Sequence, residues 1–224
     1  MSVILPFAIV TAVAVIVLLA AELRGMKRVA GIAKGVASSA FVAAALVEGA
    51  AQSTYGRVLL VAFAFSWLGD LLLLSSEQKS FLAGLGAFLL AHVAFAVAFL
   101  VWGVNLKAIA VAAAVLAVAG AVLGRWLLPH VSAAMKVPVI AYMTALCTMV
   151  TLAAGAAWSS PESRFLLPAA VAFFISDISV ARNQFVKPGV SNQVWGLPLY
   201  YAAQLAFAAS AAIALRPEFI LAPG

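Results

Sequence analysis

The sequence predicts an all-α membrane protein, a polytopic bundle of about eight transmembrane helices. Of its 224 residues, 67% are hydrophobic and only 9% are charged, which is far from the composition of a soluble globular domain. The mean hydropathy is +1.18. Each span needs about 20 apolar residues to cross a hydrocarbon core of about 30 Å, so a chain of this length with short connections has room for about eight crossings.

Apolar stretches separated by short segments of charged and turn-forming residues predict the individual spans. They cover residues 3–21, 30–47, 58–74, 81–101, 106–123, 137–157, 165–184 and 194–215. Because these stretches occupy most of the chain, we expect residues 1–224 to form a single transmembrane domain.

The distribution of basic residues predicts the orientation. The net charge of +6 does not indicate a nucleic-acid partner, since the basic residues are scattered between apolar runs. Nine of them lie in or beside the odd-numbered connections: Arg24, Lys27, Arg28, Lys34, Lys79, Arg125, Lys136, Arg182 and Lys187. Four lie on the opposite side: Arg57, Lys107, Arg164 and Arg216. By the positive-inside rule, the odd-numbered connections are cytoplasmic and both termini lie outside, as expected for an integral protein of a bacterial inner membrane.

Three ionisable residues inside the spans are the first candidates for chemistry. Such a residue costs a few kcal/mol in the bilayer, so it indicates function by default. Asp70 ends the third span one turn after Ser66, Asp177 follows Ser176 in the seventh, and His92 lies inside the fourth. The third and seventh spans are four places apart in the chain order, so their helices run in the same direction and can place two carboxylates on opposite walls of one cavity.

Further polar side chains lie at comparable depth in the half that faces the odd-numbered connections: Lys34, Tyr142, Tyr200, Tyr201 and Gln204. Taken singly, each has a simpler interpretation. Asp70 and Lys34 can form a structural ion pair, His92 an interhelical hydrogen bond, and the tyrosines ordinary packing contacts. Together they predict a polar cavity open toward the cytoplasmic leaflet.

The candidate residues favour acid/base chemistry. The sequence contains no GxSxG, HExxH or GxxxxGK[ST] motif and no Gly-rich dinucleotide loop. A single cysteine, Cys147, and one histidine beside two carboxylates give only a weak metal signal, so we expect no metal and no cofactor. Two carboxylates in one apolar cavity can act as general acid and general base. The alternative is a proton-coupled transporter of small molecules or lipids, in which the same carboxylates carry protons.

At these residues the chain resembles the lysoplasmalogenase family, also called the YhhN-like family. The resemblance covers most of the chain, and its order and spacing are more specific than any single piece. The matching segments are Tyr55-Gly56-Arg57, Ser66-x-x-Gly69-Asp70-x-Leu72-Leu73, Phe81-x-x-Gly84-x-x-x-Phe88-x-x-x-His92, Pro138-Val139-x-Ala141-Tyr142, Phe174-x-Ser176-Asp177, Asn183-x-Phe185 and Tyr200-Tyr201-x-x-Gln204. Gly35 follows the lysine at a place where the family often has proline.

The resemblance implies a hydrolase that cleaves the vinyl ether bond of a lysoplasmalogen, or a related lysolipid ether, to a fatty aldehyde and a glycerophospho-alcohol. It implies a lysophospholipid substrate in contact with membrane lipids. It also implies Asp70 and Asp177 as the catalytic pair, with His92 orienting or relaying a proton. The substrate-binding residues would be Lys34 at the phosphate, with Arg182 as a second candidate, and Ser66, Tyr142, Ser176, Asn183, Tyr200, Tyr201 and Gln204.

Overall fold

The computed structural model describes residues 3–75 and 77–215, and within these ranges it contains eight long α-helices and no β-strand. The helices are α1 (Leu5–Leu23), α2 (Lys27–Val47), α3 (Thr54–Leu72), α4 (Gln78–Trp102), α5 (Leu106–Leu127), α6 (Ala133–Ala157), α7 (Leu166–Ala181) and α8 (Val190–Ile213). With the short turns that extend α5 and α7, all eight are long and apolar enough to cross a membrane. The predicted fold class is confirmed, and the chain is an integral membrane protein.

Several helices extend beyond the apolar stretches because polar residues form their ends. Helix α3 begins at Thr54, four residues before the apolar run, because the Ser53 hydroxyl caps it by accepting a hydrogen bond from the Gly56 amide at 3.0 Å. Helix α6 begins at Ala133, so Pro138 lies inside it. A proline inside a span is tolerated where neighbouring groups satisfy the carbonyl that it leaves free.

Small residues and phenylalanines build the core of the bundle. The main helix contacts join α3 to α4, α1 to α2, α7 to α8 and α4 to α6. Where alanines allow close approach, phenylalanine rings fill the centre: Phe41 lies 5.4 Å from Phe63, and Phe95 lies 4.9 Å from Phe207, measured between ring centroids. Helix α5 is peripheral, since it packs mainly on α6 and Leu127 is its only buried residue.

A tight turn joins α1 to α2 and fixes the relation between their ends. The Met26 amide donates to the Ala21 carbonyl at 2.8 Å, and the Gly25 amide donates to the Glu22 carbonyl at 3.2 Å. This is a Schellman motif, which needs a left-handed residue at Gly25, where φ is +67°. The end of α1 and the start of α2 therefore lie side by side at one end of the bundle.

Candidate active site

One large cavity opens at a single end of the bundle. Its volume is about 1190 Å³, and all eight helices contribute to its wall. Residues in or beside the α1–α2, α3–α4, α5–α6 and α7–α8 connections line it, including Lys27, Ser75, His130 and Asn183. We call this end of the bundle the mouth end. Both Asp70 and Asp177 line the cavity.

Asp70 lies two residues before the end of α3 and is 2% exposed. Its Oδ2 atom accepts hydrogen bonds from the Ser38 hydroxyl and from the Tyr200 hydroxyl, both at 2.7 Å. Its Oδ1 atom is 3.4 Å from the Lys34 ammonium nitrogen, whose side chain is itself largely buried. Two hydroxyl donors and one cation therefore converge on this carboxylate, an arrangement that compensates a buried negative charge.

Asp177 lies in α7 and has a different set of neighbours. Its Oδ2 atom accepts a hydrogen bond from the Tyr142 hydroxyl at 2.7 Å and is 3.3 Å from His92 Nε2. Its Oδ1 atom has no hydrogen bond to the part of the chain that the structure describes. One oxygen is thus held by the protein while the other is free to meet a ligand in the cavity.

The fully buried His92 links Asp177 to the backbone of α4. Its Nδ1 atom is 2.7 Å from the Phe88 carbonyl oxygen. A carbonyl only accepts, so Nδ1 carries the hydrogen, and Nε2 is the atom that can gain or lose a proton. At 3.3 Å, Nε2 faces Asp177 without forming a well-directed hydrogen bond. His92 Nε2 and Asp177 Oδ2 are therefore close enough for a proton to pass between the two side chains.

Aromatic rings separate the two carboxylate groups. Tyr200, which donates to Asp70, stacks on Phe173 at 5.3 Å between ring centroids, and Phe173 lies 4.9 Å from the His92 ring. Tyr142 meets the other side of His92, edge to face, at 5.1 Å. Each aspartate therefore has its own hydrogen-bonding group, and the Tyr200, Phe173 and His92 rings link the two groups through ring contacts.

The structure brings most of the candidate residues to this cavity. Those that line it are Lys34, Asp70, Tyr142, Ser176, Asp177, Asn183 and Tyr200. Behind the wall lies Tyr201, whose hydroxyl is 3.0 Å from the Ser38 hydroxyl. Ser66 and Gln204 are fully buried; the Gln204 amide lies near the Tyr200 hydroxyl, without a well-formed hydrogen bond to the described residues.

Two of the lining residues are engaged by the protein itself. The Ser176 hydroxyl donates to the Phe173 carbonyl at 2.6 Å. Asn183 lies in a π-helical turn, Arg182–Val186, that continues α7, and its Oδ1 accepts from the Gly189 amide at 2.9 Å and from Asn192 at 3.1 Å. Arg182 also donates to Asn192 and does not line the cavity. The bonds of Arg182 and Asn183 connect the end of α7 to the start of α8.

Sequence reasoning missed Ser38 and Phe173. Ser38 lies four residues after Lys34, so it shares that face of α2, and this spacing was the available signal. Phe173 is one of 14 phenylalanines and carries no mark of its position between the two carboxylates. Across residues 3–75 and 77–215, no group of three or more His, Cys, Asp or Glu side chains is placed to hold a metal ion.

Fold and site together define an integral membrane protein with two differently bonded carboxylates in a cavity at one end of a helical bundle. Residues 29–211 match the YhhN family, and the chain belongs to this family, as the resemblance predicted. Among curated proteins, it is similar to "Lysoplasmalogenase TMEM86A" of Bos taurus, with 26% identity over 165 residues, which cover 71% of this chain and 67% of the relative. No solved structure matches the chain significantly.

Proposed function

We propose that this protein is an intramembrane hydrolase that cleaves the vinyl ether bond of a lysoplasmalogen or a related lysolipid ether. The observation that carries the proposal is the pair of aspartates on one cavity, each with its own set of hydrogen-bond donors. Family membership and the name of the bovine relative supply the substrate class. Together the eight helices are proposed to form one transmembrane domain around this site.

Hydrolysis of a vinyl ether needs an acid, a stabilised cation and an activated water. A proton adds to the outer carbon of the double bond, and the positive charge that develops is shared between the inner carbon and the ether oxygen. Water adds to the inner carbon and loses a proton, which gives a hemiacetal. The bond from the hemiacetal carbon to the glycerol oxygen then breaks while the hemiacetal hydroxyl loses a proton and the glycerol oxygen gains one, which releases a fatty aldehyde and a glycerophospho-alcohol.

The two hydrogen-bonding environments suit different roles in this reaction. Asp177 lines the cavity, and its Oδ2 atom lies 3.3 Å from His92 Nε2, so the histidine can supply a proton to this aspartate. We assign Asp177 as the general acid. We assign to Asp70, whose carboxyl group contacts Ser38, Tyr200 and Lys34, the stabilisation of the oxocarbenium ion and the acceptance of a proton from water.

The remaining candidates are proposed to position the substrate and water. Tyr142 and Tyr200 fix the two carboxylates, and both line the cavity beside Ser176 and Asn183. Lys34 supplies the charge partner of Asp70. Behind them, Tyr201, Ser66 and Gln204 support the wall.

The cavity also fits a lipid with a single chain. Its wall is mainly apolar away from the aspartates, with Leu85, Leu123, Trp126 and Leu146 among the lining residues. We propose that the fatty chain lies along this wall while the polar head stays near the mouth end. With that end in the cytoplasm, the enzyme would draw its substrate from the inner leaflet of the membrane.

The test is aldehyde release by the purified protein in detergent, with Asp70→Asn and Asp177→Asn as the variants. Both substitutions keep the side-chain shape and remove the acid/base function, so each is expected to lower turnover by at least about 100-fold. Glu48→Gln, at the end of α2 away from the mouth end, is the matched control and should retain full activity. Near-normal turnover of either Asn variant, with correct folding, would refute the proposal.

A further inference from the structure

Three charged residues stand at the rim of the active-site cavity. Glu22, Lys27 and Arg28 line the same cavity as Asp70 and Asp177. The ion pairs within the described residues are Lys34 with Asp70 and His92 with Asp177, so none of the three rim residues is neutralised by a side-chain partner there. Lys27 and Arg28 are exposed, and Glu22 is half-buried. The rim thus presents one negative and two positive charges to anything that enters.

The turn between α1 and α2 fixes this arrangement. Its Schellman motif places Glu22 in the last turn of α1 and Lys27 and Arg28 in the first turn of α2, and all three line the cavity. Arg24 lies in the same turn but does not line the cavity. Only particular positions of the turn therefore bring their charges to the cavity.

The cations deeper in the protein are already engaged. Lys34 balances the carboxylate of Asp70, with Nζ 3.4 Å from Oδ1. Arg182 donates to Asn192 and does not face the cavity. An anionic group that enters with the substrate therefore finds its unpaired positive charge on Lys27 and Arg28.

The spacing along α2 agrees with the dimensions of a lysolipid. Arg28 precedes Lys34, the neighbour of Asp70, by 34 − 28 = 6 residues, which is about 9 Å along the helix. In an extended lysolipid ether, the glycerol carbons and the phosphate ester oxygen place phosphorus about 6 Å from the reacting ether oxygen, at single-bond lengths of about 1.5 Å. The difference between these two distances, about 3 Å, is within the reach of a long Arg or Lys side chain that points into the cavity. With the ether beside Asp70, the phosphate lies below the rim.

We propose that Lys27 and Arg28 bind the phosphate of the substrate headgroup and that Glu22 binds its ammonium group, so that the rim selects zwitterionic lysolipids. This inference rests on the proposed function and adds the residues that determine headgroup preference. A phosphate monoester head offers no cation to Glu22 and brings more negative charge close to it, so it binds less well.

The experiment compares two substrates, a vinyl ether lysophosphocholine and the corresponding lysolipid with a phosphate monoester head. In the Lys27→Gln/Arg28→Gln double variant, KM is expected to rise about tenfold for both substrates while kcat stays unchanged, as for the loss of a contact far from the reacting bond. In Glu22→Gln, KM should rise for the choline substrate and fall for the phosphate monoester. Arg24→Gln, the matched control in the same turn, should change neither value.

A binding measurement separates this inference from the proposed function. A saturated alkyl ether lysophosphocholine, which cannot be hydrolysed by this route, is titrated calorimetrically into wild-type protein and into the Glu22 variant in detergent. Weaker binding by Glu22→Gln supports the rim site even if no aldehyde forms, an outcome that would remove the proposed function alone. Unchanged binding and unchanged KM in Glu22→Gln, together with unchanged KM in the Lys27→Gln/Arg28→Gln double variant, would overturn the rim site.

Discussion

Asp70 depends on hydroxyl groups from helices far away in sequence. Ser38 of α2 and Tyr200 of α8 both donate to its Oδ2 atom. Hydrogen bonds to a charged group are each worth about 1.5–3 kcal/mol when the alternative is a buried, unsatisfied acceptor. The stabilisation of negative charge on Asp70 therefore depends on its neighbours on α2 and α8.

Ser38→Ala tests this dependence. Removal of one donor is expected to lower turnover about tenfold or more, because the ionised form of Asp70, which balances the developing positive charge, loses a hydrogen bond worth about 1.5 kcal/mol or more. Ser39→Ala is the matched control: the adjacent hydroxyl is exposed on the outer side of the bundle and accepts from Trp67 at 3.2 Å. Kinetics of both variants decide the question, and equal rates for the two would contradict the role of Ser38.

Tyr142→Phe tests the other carboxylate. The phenol donates to Asp177 Oδ2 and packs against the His92 ring, and phenylalanine keeps the packing while removing the hydrogen bond. We expect a fall in kcat of about tenfold or more with thermal stability nearly preserved. A loss of stability with unchanged kcat would instead make Tyr142 a structural residue.

Among single residues, the sequence predicts the ionisable ones, which are costly to bury in a span, and misses the small hydroxyl residues that are common in membrane helices. Asp70, Asp177 and His92 stand out because a charge inside a span demands a reason. Ser38 does not stand out, since small hydroxyl residues are common where membrane helices pack closely. Its partnership with Asp70 depends on a contact between residues 32 positions apart, which only the fold reveals.

At the level of elements, α3 is held at its start by a close approach of two backbones. Helix α3 packs against the short 3₁₀ turn Ala50–Gln52, and a Cβ atom on Gly56 would overlap the backbone of Ala50. Backbone cannot move aside as a flexible side chain can. The position of the helix that carries Asp70 therefore depends on Gly56, which lies 70 − 56 = 14 residues earlier and about 21 Å away along the helix axis.

Gly56→Ala is accordingly expected to destabilise the protein by about 2 kcal/mol or more, because of overpacking against backbone. The matched control is Gly86→Ala in α4, where a Cβ atom would meet nothing within 4 Å and a helix would gain up to about 1 kcal/mol. Thermal unfolding in detergent reports the difference. Equal melting temperatures for the two variants would show that the α3 contact gives way easily.

The elements themselves follow from hydropathy, but their ends do not. Hydropathy predicts the apolar part of α3. The first turn of this helix is polar and depends on the Ser53 cap. The π-helical turn after α7 is equally invisible, because the predicted span 165–184 ends inside this turn and hydropathy does not distinguish a π-helical turn from an α-helix. Hydrogen bonds to Asn192, not apolar character, continue the helix there.

At the scale of the whole molecule, the end of the bundle that holds the polar residues is also the end with the excess of basic residues. The cavity opens at the mouth end, where the odd-numbered connections lie, and the charge bias predicts that this end is cytoplasmic. One of the residues counted for the other side, Arg216, lies outside the described residues, as do both chain ends. The orientation remains a prediction.

Cysteine labelling in intact cells tests this orientation. With Cys147 replaced by serine, the chain has no other cysteine, and single cysteines are then introduced at Gln52 and at His130, in connections at opposite ends. We expect a membrane-impermeant maleimide to label Gln52→Cys from outside and His130→Cys only after the membrane is opened. The reverse pattern would place the cavity on the outer leaflet.

The turn between α1 and α2 also bears on how such enzymes diversify. Glu22, Lys27 and Arg28 all precede residue 29, where the match to the family begins, whereas Asp70, His92 and Asp177 lie within it. Recognition of the headgroup and cleavage of the ether would then be encoded in separate stretches of the chain. Exchange of a few residues around Gly25 would retune lipid preference without disturbing the chemistry, which makes this turn the natural place to engineer new selectivity.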